Sequence, residues 1–235
     1  MTETLKANVL IVGGTGGIGR ALAERYSSLG SNVIITSRDA GRAAATAAEI
    51  GPNVRGIPLD IAEPEKIAGM LADVGSIDRL LIVAVERDSN SVREYDVAKA
   101  RRAVTVKLVG YTEIVHAMLD RFSEDASVVI FGGLASERPY PGSTTITMVN
   151  GAVRSMIKTM AVELAPIRFN AIHPGIIADT PAWADKPEAL ERVRARTPGG
   201  RLATTEDVVD AVKFLFNNRG VNGVNLVIDG GWMLQ

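Results

Sequence analysis

Short apolar runs and helical stretches alternate along most of this chain. An apolar run at 8–12 precedes a helical pattern at about 17–29, and a second run at 32–36 precedes an alanine-rich helical stretch near 42–50. Further runs of strand length stand at 54–59, 79–83, 127–131, 169–172 and 225–228. Their apolar residues are continuous rather than alternating, the pattern of strands covered on both faces. Helices are predicted at 99–122, 147–164 and 205–217. Strands alternating with helices predict an α/β fold in three layers, a doubly wound parallel sheet flanked by helices. The stretch 176–202 breaks the rhythm: it holds Pro181, Pro187, Pro198, Gly199, Gly200 and Trp183. It reads as a loop with a short helix in its middle, and such a loop in a compact domain is usually a lid or a binding element.

Size and charge narrow the picture. At 235 residues with 46% hydrophobic content, the chain suits one domain over 1–235. Its net charge is −1 and its basic residues are scattered, so no nucleic-acid or membrane-surface partner is expected and a small-molecule substrate is. The absence of cysteine excludes disulfides, thiolate metal sites and a cysteine nucleophile. No cluster at metal-ligand spacing stands out, so no metal is expected. The first residues lack a signal-peptide pattern and no apolar run is long enough to span a bilayer, which suggests a cytoplasmic protein.

The chemistry begins after the first strand, at Gly13-Gly14-Thr15-Gly16-Gly17-Ile18-Gly19. A glycine turn that opens into a helix lets backbone approach a diphosphate, and the free N–H groups of the helix start receive its charge. About 20 residues on, where an acid would bind a ribose 2′-hydroxyl, the second strand ends in Thr36-Ser37-Arg38. A guanidinium and a hydroxyl suit a 2′-phosphate, so the spacing predicts NADP (NADPH) rather than NAD, with Arg42 as a second cation.

From the glycine turn onward the chain resembles the short-chain dehydrogenase/reductase family over nearly its whole length. Leu59-Asp60-Ile61 is similar to the family's adenine-contacting aspartate segment. The stretches Ala152-Val153, Glu163 to Ala171, His173-Pro174-Gly175-Ile176-Ile177 and Asn222 to Gly231 are similar to its long helix, sixth strand, Pro-Gly motif and C-terminal strand. The resemblance implies a Rossmann-like sheet of about seven strands and a homodimer or homotetramer built through the long helices. It also implies cofactor contacts from Gly13, Thr15, Gly16, Gly17, Ile18, Gly19, Ser37, Arg38, Asp60, Ile61, Ala84, Val85, Asn150, Pro174, Gly175 and Ile177.

The departures bear on chemistry. Aligned with the family's catalytic Ser, Tyr and Lys, this chain has Gly133, Ile146 and Asn150, and Lys107 stands at the family's helix Asn. Ile82-Val83-Ala84-Val85 replaces the Asn-Asn-Ala-Gly motif. An amide and an aliphatic side chain supply no acid near neutral pH, so a reductase here needs another donor. Lys107 is the first candidate, as an acid of lowered pKa, as a ribose holder, or as a lysine that reaches out to solvent. Tyr140, between Pro139 and Pro141, is the second. His173 is expected to be structural and His116 an ordinary helix residue. Glu86 and Asp88 read as solvated loop acids. Trp183 is expected over the substrate, while Asp179 stands where the family carries a Thr and Thr180 is displaced by one. Three readings follow: an NADP-dependent oxidoreductase acting on a small carbonyl with a non-standard proton donor, a catalytically inactive nucleotide sensor or oligomer partner, or a lyase or isomerase without net redox change.

Overall fold

The computed structural model describes residues 6–86 and 88–235. In chain order the elements are β1 (Asn8–Val12), α1 (Gly17–Ser28), β2 (Asn32–Ser37), α2 (Ala40–Ile50), β3 (Val54–Pro58), α3 (Pro64–Met70), β4 (Ile77–Ile82), α4 (Val97–Val104), α5 (Tyr111–Ala117), β5 (Phe122–Phe131), α6 (Thr144–Glu163), β6 (Arg168–Pro174), α7 (Pro187–Arg196), α8 (Thr205–Asn217) and β7 (Asn225–Ile228). The strands form one sheet in the order β3-β2-β1-β4-β5-β6-β7, and every pairing is parallel.

Successive strand residues point to opposite faces, so the continuous apolar runs feed two cores. Leu10, Leu80, Val128 and Ile130 pack with Ile67, Ile114, Val153 and Ile157 of α3, α5 and α6. Val9, Ile11, Leu81 and Val129 pack on the other face with Leu22 of α1 and with Val208, Val212 and Leu215 of α8. The buried Arg168 closes the C-terminal end of α8, donating to the carbonyls of Leu215, Phe216, Asn218 and Val221. Those carbonyls have no partner inside the helix, and a guanidinium supplies enough donors for all of them.

One expected helix changes and one helix was not foreseen. The helix predicted at 99–122 is α4 and α5 joined by a π-helical turn over Thr105–Gly110, and β5 already begins at Phe122. An added Cβ on Gly110 would lie 2.4 Å from the Ile61 carbonyl oxygen, so the turn sits hard against the segment after β3. The short helix α3 starts on Pro64 and is too brief to show a repeating apolar stripe. The expected loop after β6 is present, with α7 in its middle.

The strand order reverses direction at β1, which lies between β2 and β4. In such sheets the loops leaving the carboxyl ends on either side of the reversal diverge and leave a crevice. Among the described residues no helix is long and apolar enough to cross a membrane, and no group of His, Asp or Glu is placed to hold a metal ion.

Candidate active site: a nucleotide cleft with a buried lysine

A cleft of about 540 Å³ opens at this reversal. Its floor is the glycine turn. Gly13 has φ +92°, and an added Cβ there would lie 2.7 Å from the Ala84 backbone, so only glycine lets the ends of β1 and β4 come together. Gly17 has φ +49° and nothing within 4 Å of a Cβ position, so its backbone faces open space. Helix α1 begins at Gly17 with no side-chain cap and no acid in its first turn. Free amides and an unopposed positive helix end fit a diphosphate.

At the β2 end of the cleft, Arg42 donates to the buried Ser37 hydroxyl through Nε (3.1 Å) and Nη2 (3.0 Å). Asp39, the nearest carboxylate in sequence, caps α2 by accepting from the Arg42 amide at 2.6 Å. The acid is thereby occupied, and Arg38 and Arg42 both line the cleft. Asp60 also lines it, with one oxygen held by the Ala62 amide at 3.0 Å. Every predicted cofactor residue lines the cleft except Asn150.

Asn150 instead packs at the strand end behind it. A Cβ on Gly133 would lie 2.7 Å from Asn150 Nδ2, and Asn150 Oδ1 is buried without a hydrogen-bond partner. A Cβ on Gly132 would lie 2.3 Å from the ring of His173. That ring is fully buried. Its Nδ1 accepts from the Gly133 amide (3.1 Å), which places the proton on Nε2, where it is donated to Asn225 Oδ1 (2.8 Å). Burial lowers the His173 pKa below its ordinary value, so the ring stays neutral and acts as a spacer between β5, β6 and β7. Gly133, Ile146 and Asn150 all lie outside the cleft lining.

Lys107, on the π-helical turn, lines the cleft and is only 6% exposed. Its Nζ donates to the Gly132 carbonyl at 3.3 Å and lies 6.0 Å from the ring centre of Tyr111. Burial alone lowers its pKa from 10.5 to about 8, because water is excluded and no carboxylate compensates. The lysine therefore turns inward rather than out to solvent.

The geometry removes Tyr140 from the site. It is 56% exposed and lines a separate groove with Arg93 and Met148, held by its backbone amide donating to Ser143 Oγ at 3.0 Å. Tyr140, the second candidate donor, therefore faces away from the cleft, between two prolines that restrict its loop. Trp183 and Thr180 do line the cleft. Asp179 does not: it accepts from the Thr205 amide and hydroxyl at the start of α8. Glu86 is paired with Arg102 (2.6 Å) rather than solvated alone.

Tyr111 is a positioning residue that the sequence reading missed. It is fully buried and its hydroxyl donates to the Ala84 carbonyl at 2.5 Å, fixing the segment that abuts Gly13. Burial raises its pKa, so it remains a neutral donor. The available signal was local: Gly110-Tyr111 follows Lys107 on one helix, and an aromatic with a polar tip in an apolar helix needs a partner.

A parallel sheet with a glycine turn at its reversal and a cationic far end defines a dinucleotide-cleft α/β protein. Comparison with known proteins makes this specific. The model of the family described as Enoyl-(Acyl carrier protein) reductase matches residues 13–233, and the chain belongs to the short-chain dehydrogenase/reductase family of nicotinamide-dependent oxidoreductases. It is 29% identical to L-xylulose reductase of Bos taurus, over 95% of each chain. It is also 29% identical to a 3-oxoacyl-(acyl-carrier-protein) reductase of Haemophilus influenzae, covering 96% of this chain and 98% of that one. Among solved structures, a putative betaketoacyl-ACP reductase superposes with a TM-score of 0.87 at 29% identity, covering 99% of this chain and all of the other.

Proposed function

We propose that the protein is an NADP(H)-dependent reductase of small carbonyl compounds in which Lys107 takes the acid role that the family assigns to a tyrosine. The observation that carries this reading is Lys107 itself, a buried, cleft-facing ammonium whose pKa of about 8 is close to the working range of a general acid. Gly133, Ile146 and Asn150, at the aligned catalytic positions, offer no acid and do not reach the cleft.

The diphosphate would lie on the amides at the start of α1, and the 2′-phosphate against Arg38, Ser37 and Arg42. A bound reduced nicotinamide would supply a hydride to the carbonyl carbon. Lys107 would donate a proton to the carbonyl oxygen and, as neutral amine, recover one from water at the open side of the cleft. Trp183, which lines the same cleft, would limit water at this transfer to its open side.

Oxidation of NADPH against a panel of ketones and aldehydes tests the proposal. Turnover is expected for wild type and a loss of at least about 100-fold in kcat for Lys107→Met, with NADPH affinity retained. Turnover unaffected by Lys107→Met contradicts the assignment.

The placement of Gly133, Ile146 and Asn150 favours a second reading, a nucleotide sensor without turnover. Tight NADPH binding with no oxidation against any carbonyl would select it.

A further inference from the structure

The part of the cleft above β4, β5 and β6 lies across β1 from the two arginines. Its lining includes Val85, Val106, Phe131, Ile177 and Trp183, and Lys107 is the cation among them. Glu86 is nearby in this lining, but its carboxylate is held by Arg102 at 2.6 Å. Lys107 is paired with no carboxylate among the described residues, and its Nζ donates to the Gly132 carbonyl. An ammonium has three N–H donors, so two remain to be used. A buried cation with no counter-ion is costly, and an entering anion removes that cost while a neutral ligand leaves it in place.

We propose that this region is a carboxylate-recognition site and that the carbonyl substrate is a 2-oxo acid with an apolar side chain, Lys107 binding its carboxylate and the adjacent ketone oxygen together. This rests on the reading of the cleft as a carbonyl-reduction site. The two oxygens sit on neighbouring carbons, so a single ammonium reaches both, and the proton donor and the anchor are then one residue. The apolar walls accept the side chain.

The other titratable groups facing this region are Tyr111 from α5, His173 from β6 and the Glu86–Arg102 pair. Burial raises Tyr111 and lowers His173 from their ordinary values, so both are neutral near pH 7 to 9. Lys107 is the group whose charge changes in that window.

Calorimetry with 4-methyl-2-oxopentanoate and its neutral primary amide tests the proposal, on the full chain with and without saturating NADP⁺. At pH 7 the acid is expected to bind at least about tenfold tighter than the amide. Its affinity should fall about tenfold by pH 9, as the ammonium is lost, while that of the amide stays level. Lys107→Met and Lys107→Gln should both abolish the preference. Equal affinities in wild type, no detectable binding of the acid, or a preference that survives both substitutions overturns it. Carboxylate selectivity that persists without any NADPH binding overturns the reductase reading and leaves the anion site standing; NADPH binding without selectivity overturns the anion site alone.

Discussion

His173 and Gly132 show how a single side chain fixes the residues around it. The imidazole fills the space a Cβ on Gly132 would need, and its two nitrogens satisfy the Gly133 amide and Asn225. Gly132→Ala should therefore destabilise the fold by more than about 2 kcal/mol, through overpacking and loss of these bonds, as read by denaturant unfolding. Lys107 stores free energy of the opposite kind. Its folded pKa of about 8 lies below the 10.5 of an exposed lysine, so the folded state binds fewer protons than the unfolded one between these values. Stability should then rise with pH from about 8 to 10.5, by up to roughly 3 kcal/mol. Lys107→Met should flatten that rise and raise the melting temperature at pH 7; an unchanged pH dependence in the variant would count against a buried ammonium. The glycine turn and Arg38 were legible in the sequence because spacing alone places them. The roles of Asp39, which caps α2 rather than facing the cleft, and of Tyr111, which holds Ala84, were not, because each depends on where a side chain turns.

At the scale of elements, the short runs identified all seven strands, and the central ones, β1, β4, β5 and β6, stand out because a strand covered on both faces is continuously hydrophobic, whereas the edge strands β3 and β7 are only partly buried. The region after β4 was harder to read. One helical pattern spans α4, the π-helical turn and α5, because a π-turn shifts the hydrogen-bond register without breaking the apolar content. That turn carries Lys107, so the irregularity that escaped the sequence coincides with the residue we propose as the acid. The start of α8 shows the reverse case. Thr204 accepts from the Asp207 amide, Asp207 accepts from the Thr204 amide, and Arg201 clamps the same carboxylate at 2.8 Å on each oxygen. These contacts hold the Asp207 pKa well below the usual carboxylate range. Thr204→Ala is expected to cost about 1 kcal/mol in chemical unfolding without altering nucleotide affinity. A parallel loss of nucleotide binding would show instead that the loop preceding α8, which also contributes Thr180 and Trp183 to the cleft, is coupled to this cap.

For the whole molecule, the strand reversal at β1 sets the division of labour. On the β2 side the turn after the strand and the start of α2 carry Arg38 and Arg42, loops on the β4 to β6 side carry Val85, Trp183 and the Gly132 carbonyl, and the glycine turn joins the two. This layout is what the family shares, whereas the acid is specific to this chain in our reading. The account stands first on nucleotide binding with a grip on the 2′-phosphate, and calorimetric titration of the purified protein with NADPH and NADH measures it directly. NADPH should bind at least about tenfold tighter than NADH, and Arg38→Ala should erase most of that difference while leaving NADH affinity unchanged. Equal affinities for the two nucleotides, or no heat from either on folded protein, would contradict it.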